Sequence, residues 1–481
     1  MSARKLLEKI PFLGDMWIDY QRMKESENYL KALQEKRDPV NLEKISLPEN
    51  EKIDLHCIWV SEVYTPSNIN TLIRSLERLG WDYQDIFSGD TLSKRIQATR
   101  SKGQHYTWDN VGSIVPIESD LFTYLPDSKH FDLPDGVKYA NLSFCTIHSS
   151  LTILTVQFVF QEEFKGALNT AFEKKYQTMT KVHRVGTKIQ RISYIDVLRQ
   201  SQDYVEQEIN NIHSHLHSWI SFTIPGYFSQ SELKKLPTIN FITSKLYEPS
   251  DDEVRDYNYL NILLGSRRNM WKNTEQKNVE LRWNYSNPSD FISVFGNYRD
   301  LLIGSDQTDS EMYLVSEMNF LVSDKLVSFW AIHQLFVSYE FELSDIRDQA
   351  TFQFSRTKKY IKNLNSIRQR FFSLSTDIQI ICTDAENWLE YDFWYDTMNF
   401  RNSNFEKSFI DLLKQNNKSR IKHLKQLQPQ IRDAILTNSN IISAETSLKL
   451  QRYAISLTIL AVILTLISMR EDIISLIKLV F

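Results

Sequence analysis

The sequence predicts an α+β body, a long helical stem and one C-terminal transmembrane helix. Strand and helix patterns alternate from Lys52 onward, as is typical of a mixed α/β domain. Apolar residues at three- and four-residue spacing dominate the last third of the chain and predict helices. Near the end, the 17 residues 453–469 carry no charge. Such a run is close to the length of about 20 apolar residues that crosses a hydrocarbon core.

These patterns divide the chain into five segments. The N-terminal mixed α/β domain is expected at 1–162, and a mainly helical middle region with short strands at 163–340. The helical stem follows at 341–452, the transmembrane helix at 453–469, and a short apolar C-terminal segment at 470–481.

The strongest strand signal is a hairpin in the first segment. Large apolar residues alternate along two arms that meet at 148–150. Helical spacing is expected at 1–40, 165–184 and 193–220. The alternating residues of the hairpin are Leu142, Phe144 and Thr146 on one arm, and Leu154, Val156, Phe158 and Phe160 on the other.

Composition narrows the classes of function. The net charge of −4 gives no overall attraction to nucleic acid. Only 12 of 481 residues are glycine, and none forms a dinucleotide-binding turn, a phosphate-binding loop or a nucleophile elbow. Cys57, Cys145 and Cys382 lie far apart and are expected to be buried thiols in a reducing compartment. Without a cleavable signal, the body is expected in the cytosol, anchored to the inner (plasma) membrane.

The sequence shows no catalytic constellation, so an enzyme is not expected. His213, His215 and His217 form a local histidine cluster. On a helix, His213 and His217 share a face and could together hold a divalent cation. A polar helix surface accounts for the same pattern without a metal, and the acidic partner of an H-E-x-x-H site is missing. A membrane-anchored, metal-dependent hydrolase therefore stays open as a second alternative.

A stripe of small and polar residues runs from the stem into the apolar segment. Nine Lys/Arg against four acids give 404–452 a net charge of +5 on the side of the body. Alternating steps of three and four residues from Thr437 meet only small or polar residues. This 3.5-residue period is the seam of a left-handed helical assembly. The small-residue stripe consists of Thr437, Asn440, Ala444, Ser447, Gln451, Ala454, Thr458, Ala461, Thr465, Ser468 and Asp472.

Two interpretations of the small-residue stripe both predict a homo-oligomer. Either the stripe lets helices approach closely, or it faces a central axis and lines a pore. The pore-lining candidates are Asn440, Ser447, Gln451, Thr458, Ala461, Thr465 and Ser468. A separate apolar face of the stem is expected to pack on other helices and consists of Phe409, Leu413, Ile421, Leu424, Ile431 and Ile435.

In the order of its segments, the chain resembles the CorA-type metal-ion transporter superfamily. In that family a cytosolic α/β domain and long helices lead into a pore-lining transmembrane helix, and five copies assemble. The likeness covers about 340–470, where the stem runs into 448–469. The family's Gly-Met-Asn signature is replaced by Ser468-Met469-Arg470. A filter for hydrated magnesium is therefore not implied.

The resemblance implies a repurposed membrane effector. Its cytosolic domain would sense a signal, with a small molecule or nucleotide as activator and no direct contact with nucleic acid. Its C-terminal helices would form or gate a pore, as in CorA-like proteins associated with bacterial antiviral systems. The first alternative is a tail-anchored, non-conducting sensor or scaffold in which the stripe only packs helices.

Overall fold

The computed structural model describes Lys24 and most of the chain from residue 47 to residue 480. The helix expected at 1–40 lies outside these residues, apart from Lys24. The described ranges are 47–81, 91–101, 106–118, 128–176, 179–185, 188–195, 197–231, 235–247, 259, 263, 270–273, 279–283, 291–302, 310–322, 325–351, 358–390, 399–402 and 405–480.

Most strands of the described chain belong to one large mixed sheet. Its bounds are β1 (Ile53–Tyr64), β2 (Thr107–Val115), β3 (Lys129–His130), β4 (Val137–Ile147), β5 (Leu151–Phe160), β8 (Thr238–Ser244), β9 (Met270–Asn273), β10 (Val279–Arg282), β11 (Phe291–Asn297), β12 (Arg401–Asn402) and β13 (Phe405–Ser408). The eleven strands lie in the order β13-β12-β9-β10-β11-β8-β1-β5-β4-β2-β3. Neighbouring strands are antiparallel, except that β8 pairs with β11 and β2 with β3 in parallel.

Helices cover both faces of this sheet. Every residue of β1 and β5 is buried, as expected of central strands that are covered on two sides. The helices are α1 (Ile69–Arg78), α2 (Leu92–Ser101), α3 (Glu162–Lys165), α4 (Thr170–Glu173), α5 (Val197–Thr223), α6 (Tyr227–Gln230), α7 (Tyr298–Leu302), α8 (Ser310–Val322), α9 (Leu326–Thr351), α10 (Lys358–Glu390), α11 (Phe409–Ser468) and α12 (Arg470–Val480).

The predicted hairpin is confirmed as β4 and β5, and its apolar side faces α5. The register sets Leu142 opposite Val156 and Phe144 opposite Leu154, so their side chains share one face of the sheet. Trp219 of α5 meets Phe158 on that face with ring centroids 5.5 Å apart. The opposite face of the same strands lies under α8, because the Gln157 side chain donates to a backbone carbonyl of that helix.

The helix predicted over 165–184 is wrong in its second half. After the short helices α3 and α4, the chain forms β6 (Met179–Val185) and β7 (Lys188–Ile195), which pair as an antiparallel hairpin. The β-branched residues Thr180 and Val182 favour this extended backbone. The helix predicted next is present as α5, beginning at Val197.

The sheet also continues across residue 162, where the sequence predicts a domain boundary, because β8 pairs with β1 and β11 pairs with β8. The described chain instead forms two compact units. The first comprises Met1–Gln334 with Tyr391–Gln415, and the second comprises Leu335–Glu390 with Asn416–Phe481.

Three helices form a bundle in the second unit. Glu340 of α9 pairs with Arg420 and, at 3.0 Å, with His423 of α11. The Lys425 ammonium of α11 lies 2.5 Å from the Glu386 carboxylate of α10. The apolar stem residues predicted to pack are confirmed as buried, and those in this unit are Ile421, Leu424, Ile431 and Ile435.

The first turn of α11 is fixed within the first unit. The Ser408 hydroxyl donates to the Asp411 carboxylate at 2.7 Å and accepts from the Asp411 N–H at 3.2 Å, which caps the helix start. Phe409 packs its ring 5.3 Å from Trp271 and 5.7 Å from Trp283. From this start α11 runs for 60 residues without a break, through Pro429, which corresponds to about 90 Å of helix.

Replacing Pro429 with alanine is expected to stabilise the stem. Pro429 is exposed and lies inside α11, so it removes one helical N–H and crowds the carbonyl four residues earlier, at a cost of up to about 3 kcal/mol. The thermal midpoint of Pro429→Ala should rise clearly in a detergent-solubilised preparation. Gln430→Ala, at the neighbouring exposed position, is the matched control and should change the midpoint little. Equal midpoints for both variants would contradict the expectation.

Candidate functional site

The small-residue stripe lies on a part of α11 that is exposed, at every stripe position whose burial the structure describes. The Asn438 amide donates to the Ala350 carbonyl at 2.7 Å, close to the end of α9. Beyond this contact, every residue of α11 with described burial, from Asn440 to Ser468, is exposed. The pore-lining candidates therefore share one helix and are all exposed. Asp472, the last residue of the small-residue stripe, has a burial that lies outside the described residues.

Two rows of larger residues flank the small-residue stripe along the exposed helix. One row repeats every seven residues as Ile441, Leu448, Ile455, Val462 and Met469. The row on the other side is Leu436, Leu450, Leu457 and Leu464, with Ser443 as its one small member. Both rows continue from the stem into the apolar segment, so the pattern does not change where the predicted membrane span begins.

Hydroxyl groups in the apolar segment are satisfied by the helix itself. Thr458 donates to the Ala454 carbonyl at 2.9 Å, and Thr465 donates to the Ala461 carbonyl at 2.8 Å. Ser456, which lies off the stripe, donates to the Arg452 carbonyl in the same way. Because these hydroxyls have intrahelical acceptors, they can face lipid, another helix or water at little cost.

Only α11, among the described helices, is long and apolar enough to cross a membrane, by length and composition. Its most apolar 18 residues are wholly unburied, whereas a core helix of a soluble protein would be covered. A turn at Met469 separates it from α12. The short segment predicted at 470–481 is therefore helical over Arg470–Val480.

His213 and His217 lie on one face of α5, as the spacing predicts, with their rings stacked and centroids 5.8 Å apart. The Asn240 amide nitrogen donates to Ser293, so its oxygen accepts from His213 Nε2 at 2.8 Å. Thr238 uses its hydroxyl hydrogen on the Leu236 carbonyl, so its oxygen accepts from His217 Nε2 at 2.9 Å.

Both Nε2 atoms therefore carry hydrogens and offer no lone pair to a metal. His215 points away and is exposed. Within the described chain no three His, Cys, Asp or Glu residues are grouped as metal ligands. Any cation at this pair would have to use the Nδ1 atoms or displace these hydrogen bonds. The arrangement serves to join α5 to β8.

A polar patch that sequence reasoning missed lies on the sheet face beneath α8. Gln157, Asn141 and Ser113 stand side by side on β5, β4 and β2, and the next row is formed by Thr155, Ser143 and Asn110. We call these six residues the polar floor. They line a cavity of about 190 Å³. The rows become more enclosed inward, from exposed Asn110 to buried Gln157.

Side-chain hydrogen bonds order the inner row of the polar floor. The Ser113 hydroxyl donates to Asn141 Oδ1 at 2.7 Å, and Asn141 Nδ2 donates to Gln157 Oε1 at 2.9 Å. Gln157 Nε2 in turn donates to the Val315 carbonyl of α8 at 3.4 Å. These hydrogen bonds fix the orientation of the Asn141 and Gln157 side-chain amides.

A bulge in β2 brings Asn110 and Ser113 to the same face. Strand alternation would place residues 110 and 112 together, but the register shifts between Asn110 and Gly112, leaving Val111 as the extra residue. Gly112 has a φ of 139°, a backbone conformation that residues other than glycine rarely adopt. The glycine therefore permits the bulge that completes the polar floor.

Aromatic side chains border the cavity at both ends. Trp59 is buried next to Gln157, and its Nε1 donates to Asn319 Oδ1 of α8 at 3.0 Å. Trp108 is 42% exposed on the outer side. None of the described residues that line the cavity is charged. The site is thus polar, aromatic and neutral.

The sequence signal for the polar floor lies at the positions of β4 and β5 that alternate with the apolar ones. The apolar residues that reveal the β4–β5 hairpin occupy one face, and Asn141, Ser143, Thr155 and Gln157 occupy the positions between them. On a strand buried on both faces, polar residues at alternate positions are unusual. That pattern could have identified the polar floor on β4 and β5, whereas the β2 bulge could not be read from the sequence.

No protein-family model matches the chain, and no curated protein is significantly similar to it.

Acid is expected to destabilise the protein through His217. Burial, with the neighbouring His213 as a smaller cause, lowers the pKa of His217 from 6.5 to about 3. The unfolded chain therefore binds this proton more readily. The stability contributed by neutral His217 is complete above about pH 6.5 and is lost as the pH falls toward 3. At pH 4.5 the loss is about 2 to 3 kcal/mol.

His217→Gln keeps a donor for Thr238 but does not titrate. Its thermal midpoint should fall less between pH 7.5 and pH 4.5 than that of the unmodified chain. His215→Gln, an exposed neighbour on the same helix, should retain the full fall. Parallel falls for all three proteins would show that His217 does not carry the acid sensitivity.

Proposed function

We propose that this chain is a membrane-anchored, homo-oligomeric effector in which copies of α11 surround a pore, with the body on the cytosolic side. The observation that carries the proposal is the exposed part of α11. From Asn440 to Arg452 it extends about 20 Å before the apolar segment begins, with Ile441, Leu448 and Leu450 exposed there at 37%, 55% and 64%.

A solitary helix with exposed apolar residues in water needs a partner. Because the small-residue stripe and its flanking rows continue unchanged into the apolar segment, the same faces can meet in water and in lipid. Other copies of α11 can serve as that partner in both environments. The two large rows would contact neighbouring copies, and the stripe between them would face the axis.

The charge pattern also supports helix assembly rather than a basic membrane-binding surface. Within the second unit, Lys418, Arg420 and Lys425 pair with acids of α9 and α10. Much of the net charge of +5 along 404–452 is therefore neutralised by acidic residues of α9 and α10. What remains next to the span is Lys449 and Arg452, and Arg470 and Lys478 balance them on the other side. Basic residues therefore favour neither orientation, and the cytosolic side is proposed from the size of the polar body.

A second candidate is a tail-anchored, non-conducting sensor or scaffold. It is favoured by the hydroxyls of Thr458 and Thr465, which bond within their own helix and so do not require water. In this case the stripe forms the contact between helices and encloses no aqueous path. The two candidates share the anchor and the oligomer and differ in conduction.

The anchor is tested by placing a charge in the apolar segment. Leu460→Arg should move the protein from the membrane to the soluble or aggregated fraction in a flotation assay, because arginine at a span centre costs about 2.5 to 3.5 kcal/mol or more. Leu450→Arg introduces the same charge at an exposed leucine before the apolar segment and should float with the membranes. Flotation of both variants would contradict a span at 453–469.

Conduction is tested by filling the stripe. Thr458→Leu and Thr465→Leu should abolish ion leakage from proteoliposomes, because each replaces a small hydroxylated side chain at the axis with a larger apolar one. Ser456→Leu is the matched control, since it removes an identically bonded hydroxyl off the stripe, and it should still conduct.

Oligomer mass in detergent separates the two candidates. A weaker oligomer in the Thr variants, with no leakage from the unmodified chain under any activating condition, supports the scaffold and overturns the pore. A monomeric chain would overturn both.

A further inference from the structure

We infer that the polar floor, together with Trp108, binds a small, uncharged, ring-shaped ligand with hydrogen-bonding groups on its edge. This is chemistry that nucleobases and sugars share. The inference concerns a binding site within the first unit and does not rest on the proposed membrane function. It follows from four properties of the cavity: its polarity, its unfilled hydrogen bonds, its aromatic edge and its lack of charge.

Folding alone does not account for the polarity of the floor. A sheet face beneath a helix is normally apolar because burial of apolar area provides the stabilisation. Here six polar residues occupy two adjacent rows of such a face. A bulge and a glycine with positive φ bring two of them into place. Bulges and buried polar residues that depart from the usual rules of folding are typical of functional sites.

Several hydrogen-bonding groups of the floor have capacity to spare. Asn141 accepts from Ser113 and donates once to Gln157, so among the described residues its second amide hydrogen has no protein partner. The side chains of Asn110 and Ser143 likewise make no hydrogen bond within the described part of the chain, and both line the cavity. Water can occupy these groups in the empty site, and a ligand edge with donors and acceptors can replace that water.

Trp108 provides a flat surface beside these groups. With 42% of its area exposed, its ring is available at the outer side of the cavity. A ring-shaped ligand whose edge meets Asn141 can lay its face on this indole, and base–aromatic stacking typically contributes substantially to affinity. Trp59 closes the inner side, where its hydrogen bond to Asn319 holds the ring in place.

Size and charge restrict the ligand further. The cavity volume of about 190 Å³ is below the roughly 300 Å³ at which pockets for drug-sized ligands begin. It therefore suits a single ring system, either one sugar or the base of a nucleoside whose ribose lies outside the cavity. Since no described lining residue is charged, a phosphate or carboxylate group would gain no ion pair here. Neutral forms should therefore bind at least as well as their phosphorylated counterparts.

The test is titration of the full chain in detergent with adenosine, guanosine, cytidine, uridine, glucose and galactose, followed by tryptophan fluorescence and calorimetry. Adenosine monophosphate is included as the charged comparison. Saturable binding of a nucleoside or of a sugar is expected, and the member that binds identifies the source of the ring.

Trp108→Ala should weaken that binding about 5- to 100-fold, the range that loss of one stacking contact produces. Because Trp108 is exposed, this variant should keep its fold, which the thermal midpoint checks. Asn141→Leu should also reduce affinity. Ile117→Ala, which truncates another exposed apolar residue two positions after β2, is the matched control and should bind normally.

Three outcomes would overturn the inference. The first is no saturable binding of any neutral member up to millimolar concentration. The second is binding that requires the phosphate group, since the lining offers no cation for it. The third is equal affinity of Trp108→Ala and Ile117→Ala, which would place the ligand elsewhere on the protein. None of these outcomes bears on flotation or ion leakage, so failure here is distinguishable from failure of the membrane proposal.

Discussion

The continuity of α11 is the constraint on which the rest of the structure depends. Its first turn is fixed by the Ser408–Asp411 cap and by Phe409 between two tryptophans. The same helix then contributes to the bundle core, is exposed from Asn440 onward wherever its burial is described, and continues into the apolar segment without a break. Under the proposed function, the exposed part lies in water at one end and in lipid at the other, which accounts for a small-residue stripe that keeps one period across the boundary.

The sequence predicted those features that depend on apolar periodicity. The β4–β5 hairpin, the buried face of the stem and the apolar segment all follow from where large apolar residues recur, because burial of such residues is the main stabilising term. The hairpin of β6 and β7 was missed because its residues also fit a helical spacing and local propensity is a weak guide. The predicted boundary at 162 failed to separate the sheet because strand pairing between β1 and β8 joins residues far apart in the chain, and no local pattern encodes it.

The candidate sites likewise differ in whether they depend on local periodicity or on tertiary contacts. The small-residue stripe is a periodic feature and could be found by counting positions. The polar floor depends on the pairing of β2, β4 and β5 and on one extra residue at Val111, so it becomes visible only when the register is known. The His213–His217 pair was correctly placed on one helix face, yet its chemistry is decided by Thr238 and Asn240, which belong to a strand. Spacing gives proximity within a helix, and only tertiary contacts decide which nitrogen keeps its proton.

Hydrogen bonding within α11 limits what the hydroxyls of the stripe can do. In lipid, apolar helices gain no hydrophobic energy by associating, so close contact and polar pairing must hold them together. Thr458 and Thr465 donate to carbonyls one turn earlier, which leaves their oxygen atoms as acceptors but removes their hydrogens from contacts between helices. In the proposed oligomer, close contact rather than hydrogen bonding by these residues would then provide most of the association energy. In that oligomer the large rows that flank the stripe would supply the contact on both sides, as a ring requires, because each copy in a ring has two neighbours.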